Sequence, residues 1–188
     1  MQLRELLENK KAAIVDRWCD LTLQVYPDES ARLMRREKDR FQNPVGRVTR
    51  ESLESLFDGL RTGRPPEEMT DALDGIVRIR AVQDLSCSAA LAFIFELKRV
   101  VRDELGEEAV GRTPEAELSA LEAGIDRLTL QAFDLFVLCR DKIHELRVGE
   151  IKRRTSVLFE RMNDRPGEPT ATTADCGPCD GVNGGCGA

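Results

Sequence analysis

Apolar residues recur three and four positions apart along most of the chain, from Leu3 to about Met162. This spacing matches the 3.6-residue turn of an α-helix and gives each helix one apolar stripe. No segment shows the two-residue alternation that is typical of a half-buried strand. The 188 residues are 41% hydrophobic and 33% charged, which suits one helical domain with a single core. We therefore predict an all-α fold.

The last predicted helix carries the longest stripe and continues to about Met162, with Gly149 as its weak point. A helix of that length either packs along a second copy or extends beyond its domain. The alternative is a break near Gly149 that folds the end back. Packing along a second copy predicts a homodimer, and the predicted dimer and signalling stripe consists of Leu121, Ile125, Leu128, Leu135, Cys139 and Ile143.

Capping and turn residues divide the chain into about six predicted helices. Asn43-Pro44 is expected to open a turn in which Gly46 supplies backbone freedom, and Ser86 is expected to cap the next helix. After Met162 the chain becomes rich in Gly and Pro and has no aromatic residue. We predict a helical domain over residues 1–162 and a flexible tail over residues 163–188.

Charge and hydropathy narrow the classes of partner. The net charge of −6 argues against nucleic acid as a partner. No stretch approaches the roughly 20 apolar residues of a membrane-spanning helix, and the charged start of the chain does not resemble a signal peptide. We expect a cytoplasmic protein without membrane insertion.

Motifs of common enzymes are missing from the sequence. It contains no phosphate-binding loop, dinucleotide fingerprint or nucleophile elbow. The only histidine, His144, begins half of a zinc-protease motif, but Val148 stands where the second histidine would be. Cys19, Cys87 and Cys139 lie on or near apolar stripes, which is typical of buried structural thiols, with a redox-sensing thiol as the alternative. We predict no enzymatic activity and expect no cofactor in the helical domain.

The tail sequence "CGPCDGVNGGC" contains Cys176, Cys179 and Cys186. Its first four letters match the thioredoxin dithiol, but the strand and helix that such a site needs are not predicted around it. The three thiolates could instead bind Zn²⁺ or an iron–sulfur cluster, with a fourth ligand from Asp175, Asp180, water or another chain. The third interpretation is a tail that is reduced or loosely disulfide-bonded and binds no metal.

Three segments carry a resemblance to a known family: "IVDRWCDLTLQVYP", "FQNPVGRVTRESLESLFDGL" and "IVRIRAVQDLSCSAALAFIFELKRVVRDEL". Over roughly residues 10–150 the chain resembles the RsbRD N-terminal domain family, most specifically at "NPVG" and at "IRAVQD-x-S". The resemblance implies a globin-like, haem-free helical input domain of the stressosome RsbR type, which dimerises and passes a signal along a projecting helix. It implies no catalytic residues and no defined ligand.

The chain departs from the family beyond the long helix, where we find no STAS or kinase output module. Output is therefore expected to act in trans, through a regulatory or redox protein partner. The resemblance further implies a setting typical of standalone relatives, namely anaerobes with sulfur-based respiration, in which the gene sometimes lies near those of membrane redox complexes. The leading hypothesis is a non-enzymatic sensory module that works through protein contacts. The alternative is a redox accessory protein of an anaerobic respiratory complex, with a metal or cluster in its cysteine tail.

Overall fold

The computed structural model describes residues 3–36, 43–83, 85–109 and 115–163, and within them every regular element is helical. The all-α prediction is therefore confirmed. The chain divides into two units, Met1–Leu146 and Arg147–Ala188; the first is called the body. There are six α-helices and one short 3₁₀ turn among these residues: α1 Leu3–Leu23, α2 Asp28–Arg36, α3 Pro44–Thr62, the 3₁₀ turn Pro66–Met69, α4 Thr70–Ala81, α5 Cys87–Ala109 and α6 Glu115–Asn163.

Two helix starts are explained directly by the sequence. The Asn43 side chain accepts a hydrogen bond from the Gly46 amide at 2.9 Å, and Pro44 occupies the first helical position of α3. Ser86 caps α5 in the same way, because its hydroxyl accepts from the Ala89 amide at 3.2 Å. The predicted Ser86 cap is thus confirmed.

Gly46 has a different role from the one predicted. It lies inside α3, and among the described glycines Gly63 and Gly106 are the ones with positive φ. A Cβ at Gly46 would lie 2.6 Å from the Met34 carbonyl oxygen and 2.5 Å from the Asn43 Oδ1. The position therefore requires glycine because α2 and the cap approach α3 closely, and not because the backbone needs unusual angles.

The core of the body centres on the contact between α1 and α5. Trp18 is fully buried, stacks on Phe93 with ring centroids 6.2 Å apart, and donates its indole N–H to the Phe93 carbonyl at 2.6 Å. This hydrogen bond satisfies the single polar group of the largest core side chain. The α6 residues Ile125, Leu128 and Ala132 reach the same core and are fully buried. Part of α6 is therefore an integral core helix.

Candidate interaction surface

The predicted dimer stripe of α6 is split between two environments. Leu121 is 9% exposed, and Ile125 and Leu128 are 0% exposed, because they pack in the core of their own chain. A second copy could contact these three side chains only if that core opened, so they offer no surface for a partner. The remaining three residues, Leu135, Cys139 and Ile143, are half-buried against the edge of the core.

Those three half-buried residues line an apolar groove of about 380 Å³ between α4 and α6. Leu138 and Val82, both exposed, complete its apolar wall. Charged residues stand at its rim, where Asp74 and Arg78 form an ion pair at 2.5 Å. The structure thus brings half of the predicted stripe together with α4, in a groove that the sequence did not predict.

Two of the described cysteines, Cys19 and Cys139, lack the features of reactive thiols. Burial raises the pKa of Cys139, and the Asp74 carboxylate raises it further while Arg78 opposes the shift. Burial also raises the pKa of Cys19, although the nearby Arg50 guanidinium lowers it in part. Since the thiolate is the nucleophile and the metal ligand, these two thiols are poorly suited to either role at neutral pH.

A second apolar surface on α6 faces solvent and includes one residue of α5. We call it the ridge, and its members are 52% exposed at Phe95, 68% at Leu130, 49% at Phe133 and 39% at Val137. The three α6 residues are spaced three and four positions apart, so they share one helix face. Large apolar side chains grouped on a surface in this way are typical of a protein contact site.

Two ion pairs hold α5 against α6 and so fix the position of Phe95, the ridge residue of α5. Arg102 pairs with Glu122 and Lys98 pairs with Asp126, each at 2.6 Å. From the first pair to the second, the residue number falls in α5 and rises in α6. The two helices therefore run antiparallel. The same register places the α5 member of the ridge at the level of its first α6 member. The ridge is therefore one patch built by two helices.

The sequence reasoning missed the ridge for an identifiable reason. Apolar residues surround most of α5, so the sequence alone does not show that half of the Phe95 side chain faces water. In α6 the predicted stripe followed only residues that pack in the core or against it. The signal was present as a second set of large apolar residues, Leu130, Phe133 and Val137, on another face of the same helix.

Arg80, which belongs to the "IRAVQD" segment, joins three helices. It is 2% exposed, and its guanidinium donates to the Thr22 carbonyl at 2.6 Å and the Ala90 carbonyl at 2.8 Å while lying 4.6 Å from the centre of the Phe93 ring. Burial lowers its pKa. No ion pair to Arg80 is found among the described carboxylates. The residue thus holds the end of α1 and the start of α5 against α4.

Among the described residues, no group of three or more His, Cys, Asp and Glu side chains could hold a metal ion. His144 is exposed. Cys176, Cys179 and Cys186, predicted as a metal or redox site, lie outside the described residues, as does the predicted tail of residues 163–188 apart from its first residue. None of the described helices combines the length and the apolar content that a membrane span requires.

Comparison with protein families gives a match to the family described as "RsbT co-antagonist protein rsbRD N-terminal domain", over residues 12–150. The chain belongs to this family. The resemblance predicted from the sequence is thereby confirmed. The RsbRD N-terminal domains are stressosome-type sensory input modules and are not a known enzyme family. Comparison with curated proteins and with solved structures gave no match.

The two segments that most clearly mark the RsbRD N-terminal domain in this chain have architectural roles. Asn43 and Gly46 of "NPVG" form the cap and the close helix contact, and Arg80 of "IRAVQD" joins three helices. Gln83 adds a hydrogen bond to the Tyr26 hydroxyl at 3.1 Å. These motif residues stabilise the helix junctions, which leaves the exposed apolar surfaces as the candidate sites of function.

Proposed function

We propose that this chain is a non-enzymatic sensory input module that dimerises through the ridge and acts by contacting other proteins. The observation that carries the proposal is the grouping of Phe95, Leu130, Phe133 and Val137 on one face of the body. Burying a large apolar side chain is worth about 1.5–3 kcal/mol. Four such side chains in one patch favour association over exposure to water.

A second copy of the chain is the occupant that best fits the ridge. The patch is built of helix faces. Pairs of helices, parallel or antiparallel, bury such faces by interlocking their rows of side chains. A contact between the same patch on two copies also forms a closed dimer to which no third copy can add through that patch. Most soluble oligomers have closed symmetry of this general kind. The predicted homodimer is thus retained, with its contact moved from the core stripe to the ridge.

The proposed mechanism uses α6 as both a core helix and a dimer helix. Leu128 and Ala132 fix it in the core, while Leu130 and Phe133 on another face meet the partner copy. A stimulus that repacks the core would then shift one α6 against the other by a small helix displacement. A regulatory protein in trans would detect that shift.

Replacement of one ridge residue tests the proposal. Phe133→Glu places a charge in the dimer contact and is expected to give a monomer by light scattering at tens of micromolar protein. Leu33→Glu is the matched control, because Leu33 is also exposed but lies on α2. A wild-type monomer under the same conditions, or a dimer that persists in Phe133→Glu, would overturn the ridge as the contact.

We propose as a second candidate that the tail carries a metal or an iron–sulfur cluster for a redox protein partner. Its support is the spacing of Cys176, Cys179 and Cys186. Anaerobically purified protein is then expected to contain stoichiometric zinc or iron, which a variant with all three cysteines changed to serine loses. Metal-free wild-type protein with three titratable tail thiols would dispose of this candidate.

A further inference from the structure

The last stretch of α6, residues 147–163, presents an unusual amount of apolar side chain to solvent. Every described side chain in it is exposed except that of Glu150, which is half-buried. A helix of this length is marginal in water by itself and gains most of its stability from packing an apolar face. The apolar residues are therefore expected to meet a partner.

Five residues of this stretch form a stripe that we call the seam. They are spaced three, four, three and four positions apart, which is the heptad spacing of a helix that packs against another helix. The seam consists of Val148, Ile151, Thr155, Leu158 and Met162. Phe159 lies beside it and is also exposed. The seam is largely outside the family match, which ends at residue 150.

The positions that flank the seam are basic. In heptad terms Arg147 and Arg154 lie on one edge and Lys152 on the other. Glu150 is on the far side of the helix from the seam, and it pairs with Arg153 at 2.5 Å and with Arg154 at 2.7 Å. Arg147 and Lys152 have no ion pair among the described residues. The edges of the seam therefore keep a positive charge.

This charge disfavours a second copy as the occupant of the seam. In a parallel pair Arg147 of one chain would lie opposite Lys152 of the other, since flanking positions of successive heptads face each other. In an antiparallel pair the arginine edges would face each other. Like charges at such positions destabilise the pair.

A membrane surface also fits the seam less well than a helix does. Amphipathic helices that lie in a bilayer interface have a strongly basic polar face. Here the far face carries Glu150 and Glu160 together with Arg153, so it has mixed charge and is not strongly basic, and the apolar stripe is as narrow as a coiled-coil contact. The seam therefore matches one partner helix better than a lipid surface.

We propose that the seam docks onto a helix of a different protein whose own apolar heptads are flanked by Asp or Glu. The proposal rests on the function proposed above and adds the chemistry of the partner in trans. Apolar contact supplies affinity, and the basic edges select acidic over basic partners.

The test uses the full chain and two synthetic helical probes of about four heptads. Both probes have Val and Leu in the contact positions; one has Glu at every flanking position and the other has Lys. Fluorescence anisotropy of labelled probes is expected to show that the Glu probe binds at least about tenfold more tightly than the Lys probe, and that added salt reduces the difference.

Two neighbouring residues provide a matched charge control. Lys152→Glu, on the edge of the seam, is expected to lower the affinity for the Glu probe about threefold and to raise the affinity for the Lys probe about threefold. Arg153→Glu makes the same change of charge on the far face and is expected to leave the preference unchanged. Leu158→Asp is expected to abolish binding of both probes while its circular dichroism retains the helical signal of the body.

Three results with the probes and vesicles would overturn the proposal. They are equal binding of the two probes, no binding of either, or wild-type binding to vesicles of phosphatidylcholine and phosphatidylglycerol without binding to the Glu probe. Loss of self-association in Leu158→Asp would assign the seam to a second copy and also overturn it. The ridge is tested separately: Phe133→Glu should still bind the Glu probe, so failure of one proposal is distinguishable from failure of the other.

Discussion

Arg80 shows how one buried cation can be retained for the bonds it makes. Its guanidinium satisfies the Thr22 and Ala90 carbonyls while the Phe93 ring covers it. Removing the cation leaves buried acceptors without this donor, and each unsatisfied group costs about 1–3 kcal/mol. The charge is thus tied to the junction of α1, α4 and α5.

We predict that Arg80→Met lowers the free energy of unfolding by about 3 kcal/mol. Urea denaturation monitored by circular dichroism measures the change. Arg78→Met is the control, because the Arg78 side chain is 73% exposed, and its effect on the free energy of unfolding should be small. Equal losses in both variants would contradict the role assigned to Arg80.

Gly46 and Gly149 form a second comparison between residues of the same type. Gly46→Ala is expected to destabilise the body by about 2 kcal/mol, because its new methyl group meets the Met34 carbonyl oxygen and the Asn43 side chain. Gly149→Ala meets no atom within 4 Å and is expected to be neutral or to stabilise α6 by up to about 1 kcal/mol. Urea midpoints of the two variants decide the matter, and a neutral Gly46→Ala would contradict the close helix contact.

These residues also mark the limit of sequence reasoning at this scale. Ser86 was predictable because a cap depends only on its own helix start. The role of Gly46 was not, because the atoms that exclude a side chain include the Met34 carbonyl oxygen of α2. The burial of Arg80 was hidden in the same way, since both of its acceptors belong to other helices.

At the scale of elements, α5 and α6 are held together by exposed or half-buried ion pairs at the edge of the ridge. The hydrogen bond from Arg102 lowers the pKa of Glu122, against the opposing effect of burial. A lowered pKa means that the folded state binds this proton more weakly than the unfolded state does. The stabilisation is therefore present above the unfolded pKa of about 4.3 and is lost as pH falls through the lower folded value.

We predict that Glu122→Gln has a lower urea midpoint than the wild type at pH 7 and the same midpoint once pH is below the folded pKa. Arg102→Gln should show a similar loss at pH 7, because it removes the other partner of the same pair. The expected shifts are small, since surface ion pairs contribute little. A difference between wild type and Glu122→Gln that grows as pH falls would contradict this assignment.

The same scale explains why the stripe of α6 was only partly understood from sequence. A core stripe and a dimer stripe have the same apolar spacing, so the existence of a helix was predictable and its partner was not. Ile125 and Leu128 turned out to face their own core, and Leu135, Cys139 and Ile143 border the groove with α4. Only the positions of the other helices distinguish these cases.

For the whole molecule, the fold class and the family were predictable because they depend on patterns spread over most of the chain. The globin-like arrangement of the helices stays a prediction, as do the homodimer and the metal-binding tail. The interaction surfaces required the structure, since Phe95 becomes part of the ridge only through the pairing of α5 with α6.

The central claim is that this RsbRD N-terminal domain works by contact between proteins, starting with its own copy. Sedimentation equilibrium of the full wild-type chain over a range of concentrations tests it most directly. We predict a reversible dimer with twice the chain mass of 21.1 kDa at tens of micromolar. A mass of one chain at every concentration would contradict the claim.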